Sequence, residues 1–152
     1  MQDVIDLVFG TYASWSHLVV RLVLGVIFFA HGSQKLFGWF GGPGLSATIG
    51  GFKQLNIPPA AAVFAACVEC FGGLALVAGL LARPAAVGVI VVMLMAIAKV
   101  HGKNGFFLNF YMTPGRGHGY EYNLALTAMA LSVLIGGAGA LSIDRLFAPF
   151  GG

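Results

Sequence analysis

Four apolar stretches, each near the length of a membrane span, take up most of a chain of 152 residues. A hydrocarbon core about 30 Å thick requires roughly 20 largely apolar residues in a helix. The first stretch runs from about Leu18 to Trp39 and is purely apolar between Leu22 and Ala30, before His31, Gln34 and Lys35. The second runs from about Pro59 to Ala82 with Glu69 as its one charge. The third runs from about Pro84 to Val100 and is rich in Val and Met as far as Lys99. The fourth runs from about Tyr122 to Leu141, with no charge after Glu121. Charged residues make up 9% of the chain and hydrophobic ones 59%, whereas soluble domains carry about a quarter charged. So few charges cannot cover a surface in water. The fold class expected is all-α, a single integral membrane domain over residues 1–152 built as a four-helix bundle of four transmembrane helices.

Prolines and glycines mark the boundaries. Pro58 and Pro59 open the second segment, and Pro84 the third, where a missing N–H costs nothing. Only Leu81, Ala82 and Arg83 separate these two, which predicts a tight antiparallel hairpin. Gly41-Gly42-Pro43-Gly44 breaks the chain after the first span, and Leu45 to Leu55 reads as a short amphipathic helix on the membrane surface. The loop from about His101 to Tyr120 is too polar to span. Its Phe106, Phe107, Phe110 and Tyr111 suit docking at headgroup level. The start, Met1 to Asp6, is acidic and lacks the basic region of a cleaved signal peptide, so the first segment reads as a retained anchor. Four spans put both termini on one side. Arg21, Arg83 and Arg145 share that side, and Lys35, Lys53, Lys99, Lys103 and Arg116 the other. If Lys35 and Lys99 are intramembrane groups the count is equal, so orientation stays open. The net charge of +3 is scattered rather than striped, which argues against nucleic acid. Two cysteines are too few for a disulfide framework. Gly25, Gly32, Gly72, Gly73, Gly79, Gly88, Gly136 and Gly137 point to close helix packing.

Polar groups within the spans carry the functional signal, because a charge at mid-bilayer costs about 2.5–3.5 kcal/mol on insertion scales. At 100° per residue, Arg21, Gly25, Phe28, Gly32 and Lys35 fall within about 80° of arc, with His31 beside them. Such a stripe should face the bundle. Glu69 is its natural counter-charge, either pairing with Arg21 or Lys35 to hold helices, or protonated, or handling protons and orienting a ligand. Snorkelling to the headgroups is the plain alternative for Arg21 and Lys35. His31 and His101 read either as satisfied interfacial histidines or as partners of a quinone or proton. Cys67-Val68-Glu69-Cys70 has redox spacing, but it lies well inside a helix among apolar neighbours, which favours packing. No metal site is expected, since His101, His118 and Glu121 are irregularly spaced.

The chain resembles the DoxX family of small bacterial membrane proteins. Four blocks carry the likeness: Arg21 to Gly25 leading to His31-Gly32-Ser33-Gln34-Lys35-Leu36-Phe37-Gly38; Glu69-Cys70-Phe71-Gly72-Gly73 leading to Gly79–Arg83; Val100 to Phe107; and Gly119-Tyr120-Glu121-Tyr122-Asn123-Leu124. The resemblance implies a multi-pass protein of the bacterial inner membrane. It also implies association with quinone-linked or thiol-linked oxidoreductase activity, exercised with a membrane or peripheral partner. The residues it singles out are Glu69, His31 and Lys35 in a catalytic role, and Arg21, Arg83, His101, Asn104, Glu121 and Asn123 in ligand binding. Quinone is the cofactor it suggests, with none covalently attached. The alternative is a non-catalytic protein that binds or moves a lipid or small solute, or a scaffold, working as a homo-oligomer.

Overall fold

A computed structural model describes residues 1–147. Every regular element among the described residues is helical. Helix α1 covers Gln2–Phe9, α2 Trp15–Phe37 and α3 Gly44–Gln54. Helix α4 covers Pro59–Ala78, α5 Ala82–Asn104 and α6 Glu121–Gly136. The surface helix expected after the first span is therefore present as a helix, and α1 was not foreseen. The hairpin between α4 and α5 turns in three residues, Gly79 to Leu81, with Gly79 and Leu81 both left-handed at φ 66° and 52°.

Three of the helices, α2, α4 and α5, are long and apolar enough to cross a bilayer, at 23, 20 and 23 residues. The fourth stretch departs from expectation. Helix α6 has 16 residues and measures about 24 Å at 1.5 Å per residue, short of a 30 Å core. It stops because Gly137 and Gly139 take φ of 77° and 79°, which a helix cannot continue through. Residues 137 to 140 are nevertheless buried.

Helix α2 lies at the centre. Ser14 caps it, its hydroxyl accepting the His17 N–H at 3.3 Å, and Gly38 ends it in the left-handed region. Arg21, Gly25, Phe28 and Gly32 are buried, so the stripe does face the other helices. Helix α4 runs antiparallel to α2 at backbone contact. A Cβ on Gly32 would fall into the backbone of Cys70, and one on Gly73 into that of Phe29. Leu24, Phe28, Leu76, Val89, Leu126 and Val133 fill the core between α2, α4, α5 and α6.

One end of the molecule is sealed by Arg21, which is wholly buried. Its Nε–H donates to Ala138 O at 2.8 Å, Nη1 donates to Leu76 O and Val77 O, both at 2.6 Å, and Nη2 to Ala140 O and Leu141 O. A single guanidinium thus satisfies the carbonyls at the C-terminus of α4 and those of the irregular segment after α6. Asp144 completes this end by accepting the N–H groups of Leu81 and Ala82 at the start of α5, at 2.7 and 2.9 Å. Burial raises the Asp144 carboxyl above its ordinary pKa, while those two N–H bonds and the charges of Arg21 and Arg83 pull it back.

Candidate functional site

The opposite end is open. There α2, α4, α5 and α6 enclose a chamber of about 600 Å³, roofed by the loop between α5 and α6. Ile27, Phe28, Met93, Leu126 and Tyr122 give it apolar walls, and Lys35 and Glu69 form a charged floor. Lys35 Nζ donates to both carboxylate oxygens of Glu69 at 2.5 Å. Glu69 is 3% exposed and Lys35 27%. An ammonium has three donors, so one N–H of Lys35 remains for a ligand. A smaller cavity of about 170 Å³ meets the chamber at Lys35, Glu69, Ala96 and His101 and is otherwise lined by residues such as Phe52, Ile57 and Val92.

Two departures from α-helical winding set this site. Helix α4 contains a π-helical turn over Val68–Gly72, which holds Glu69, and α5 one over Ile97–His101, which ends on His101. Such turns add a residue to the helix and rotate the faces beyond it, and they recur at functional sites. Spacing alone puts Cys67 and Cys70 on one face. In the structure Cys70 is buried, with its Sγ 3.7 Å from Ser33 Oγ, while Cys67 is partly exposed and both are free. Neither lines the chamber.

The roof is tied down by a short polar network. His101 Nδ1 donates to His118 O at 2.9 Å, and Asn104 Nδ2 donates to the same oxygen at 2.9 Å. The Asn109 N–H donates to His118 Nδ1 at 3.2 Å, and the buried Asn109 amide donates to Thr113 O and Arg116 O. Glu121 accepts the Leu108 N–H at 2.7 Å. Phe107 and Tyr111 of the loop are exposed, as are Phe110 and Met112, which also line the chamber.

The DoxX family model matches residues 16–102, more than half of the chain. The chain belongs to the DoxX family. It is also similar to "Putative oxidoreductase CatD" of Bacillus subtilis (strain 168), at 29% identity over 127 residues, which are 84% of this chain and 83% of that one. No solved structure matches it. DoxX membership together with three span-length apolar helices makes this a multi-pass membrane protein.

Of the nine residues that the DoxX resemblance singles out, His31, Lys35, Glu69, His101 and Asn123 line the chamber. Asn104 and Glu121 stand beside it and hold its roof. Arg21 and Arg83 lie at the sealed end, Arg83 donating to Leu7 O and Ile135 O. Asn123 is buried, and its amide donates to Met93 Sδ at 3.4 Å. Among the described residues, no three His, Cys, Asp or Glu side chains gather as a metal site. His101 bonds the His118 carbonyl and Glu121 bonds the Leu108 N–H, so these residues serve as fasteners of the loop. Asn109 and Asp144 are the contributors missed from the sequence as parts of this architecture, and His118 was weighed there only as a metal ligand. The one signal available was their placement, since Asn109 and His118 lie in a loop too polar and aromatic for a linker, and Asp144 comes after a long uncharged stretch.

Proposed function

We propose that this DoxX protein is the membrane subunit of a quinone-linked oxidoreductase, binding the quinone ring in the 600 Å³ chamber while a partner protein carries the electrons. The observation that supports this reading most is the pairing of apolar walls with a Lys35–Glu69 floor in one chamber. A flat apolar ring with polar atoms at its rim matches such a lining. A quinone supplies two-electron chemistry that must be accompanied by proton movement. Glu69 is the group placed to hold or pass that proton, and Lys35 both neutralises it and offers an N–H to a ring oxygen. The name of the Bacillus subtilis relative points to the same class of activity. A quinone is favoured over a thiol substrate because neither Cys67 nor Cys70 lines the chamber. Binding of an anionic solute by Arg21, Lys35 and Arg83 together is disfavoured, since Arg21 and Arg83 donate to backbone carbonyls at the far end.

The same proposal takes α6 as a fourth crossing, giving a four-helix bundle in a bacterial inner membrane. The chain after α6 is irregular but buried, and at membrane depth such backbone is tolerated where protein satisfies it, as Arg21 does here.

The reading is tested by purification in mild detergent, mass spectrometry of bound small molecules, and titration with a quinone. A co-purifying quinone that rebinds after extraction supports it, and bound phospholipid alone overturns it. Glu69→Gln should abolish quinone-dependent turnover with the partner. Because Glu69→Gln leaves Lys35 without its counter-charge, the double change Lys35→Met with Glu69→Met separates folding from function. Replacing a buried pair by apolar groups is usually tolerated, so the double variant should remain folded and inactive. Full turnover in it removes Glu69 from the mechanism.

A further inference from the structure

Two histidines at the chamber are held in opposite tautomers by their backbone partners. A carbonyl oxygen only accepts, so the bond from His101 to His118 O requires the proton on His101 Nδ1. In the neutral ring, His101 Nε2 is then a bare acceptor. A backbone N–H only donates, so the bond from Asn109 N requires a lone pair on His118 Nδ1. In the neutral ring, His118 Nε2 then carries the proton and donates. Both rings line the chamber, and neither Nε2 has a hydrogen-bond partner among the described residues.

We infer that this pair makes the chamber selective for the reduced, hydroquinone form of the ring, with His118 as a further ligand-binding residue. This rests on the quinone reading above. A hydroquinone hydroxyl donates to His101 Nε2, and its other hydroxyl oxygen accepts from His118 Nε2–H. The oxidised quinone has acceptors only. It finds donors in His118 and in the remaining N–H of Lys35, but it leaves the lone pair of the half-buried His101 unpaired against the ring. An unmet polar group weakens binding by about tenfold or more when fully buried, and at the half-buried His101 the lower figure sets the scale of the preference. His31, exposed at the rim of the chamber and without a hydrogen bond among the described residues, has no partner that fixes its tautomer and takes no part in the discrimination.

The test compares a tail-less 1,4-naphthoquinone with its hydroquinone, titrated anaerobically into the whole protein in nanodiscs. The reduced form should bind about tenfold more tightly. His101→Asn keeps a donor in the place of Nδ1 for His118 O and removes the Nε2 acceptor, so the reduced form should weaken, the oxidised form should gain by losing an unpaired lone pair, and the preference should vanish. His118→Asn keeps an acceptor for the Asn109 N–H and removes the donor, so both forms should weaken. Equal affinities in the parent protein, or a preference that survives His101→Asn, overturn the inference and leave quinone binding standing. Binding of neither form overturns the quinone reading itself. Nitrogen-15 spectra supply a readout that needs no ligand: His101 observed with its proton on Nε2 refutes the inference outright.

Discussion

At the scale of single residues, the buried Arg21 and the half-buried Lys35 of α2 solve one problem in different ways. Arg21 meets five backbone carbonyls with five N–H groups, so its charge lies among dipoles that it fully satisfies. Lys35 meets a carboxylate and keeps a donor free at the edge of a chamber. The first arrangement leaves no capacity for a ligand, whereas the second does. Arg21→Lys tests the difference. An ammonium offers three donors from one point, so at least two carbonyls would be orphaned. At about 1–3 kcal/mol for each buried group left unmet, the substitution should destabilise the protein by about 2–6 kcal/mol, measured by denaturant or thermal unfolding in detergent. Arg83→Ala removes two bonds at a partly exposed position and should cost less than Arg21→Lys. If both changes are equally mild, Arg21 does not hold this end together.

At the scale of elements, the features legible in the sequence are those it encodes locally. The stripe on α2 was readable because Arg21, Gly25, Phe28 and Gly32 keep helical spacing, and they are buried as that spacing implies. The start of α4 at Pro59 was readable from the proline itself, and the end expected for the first span, Trp39, lies two residues beyond the Phe37 at which α2 stops. The π-helical turns were not, because a reading at 3.6 residues per turn has no place for an inserted residue. The early end of α6 was missed because Gly137 and Ala138 are as apolar as the helix before them, and only backbone conformation distinguishes them. The fastening of the roof was invisible because it runs through backbone atoms of His118 and Leu108, whose partners no periodicity reports. The packing role expected of the span glycines can be tested directly. Gly32 meets the backbone of Cys70, which cannot move aside as a flexible side chain does, whereas Gly50 on α3 has open space around it. Gly32→Ala should therefore force α2 and α4 apart and destabilise by about 1–3 kcal/mol or more. Gly50→Ala should be neutral or stabilise by up to about 1 kcal/mol through helix propensity. Similar unfolding midpoints for the two variants would contradict backbone contact between the helices.

For the whole molecule, the distribution of cations becomes readable once each has a place. Arg21 is sealed among carbonyls and Lys35 is neutralised by Glu69, so neither reports topology. At the sealed end this leaves Arg83 and Arg145, which are partly exposed. At the chamber end it leaves Lys53, Lys99, Lys103 and Arg116, all exposed. A cation excess in short loops marks the cytoplasmic side, so the chamber mouth and its roof should face the cytoplasm. If α6 crosses as proposed, both termini share the other side. Alkaline phosphatase, active only outside the cytoplasm, fused in turn to each terminus in a bacterial cell should then be active at both. Activity at one terminus alone would mean that α6 does not cross and that three helices span. Inactivity at both would keep four crossings and reverse the orientation. With the mouth toward the cytoplasm, the function proposed above would have Glu69 exchange its proton with that side and an electron-carrying partner dock there. The exposed ring of Phe107, Phe110 and Tyr111 around the roof would then lie at the cytoplasmic face of the bilayer.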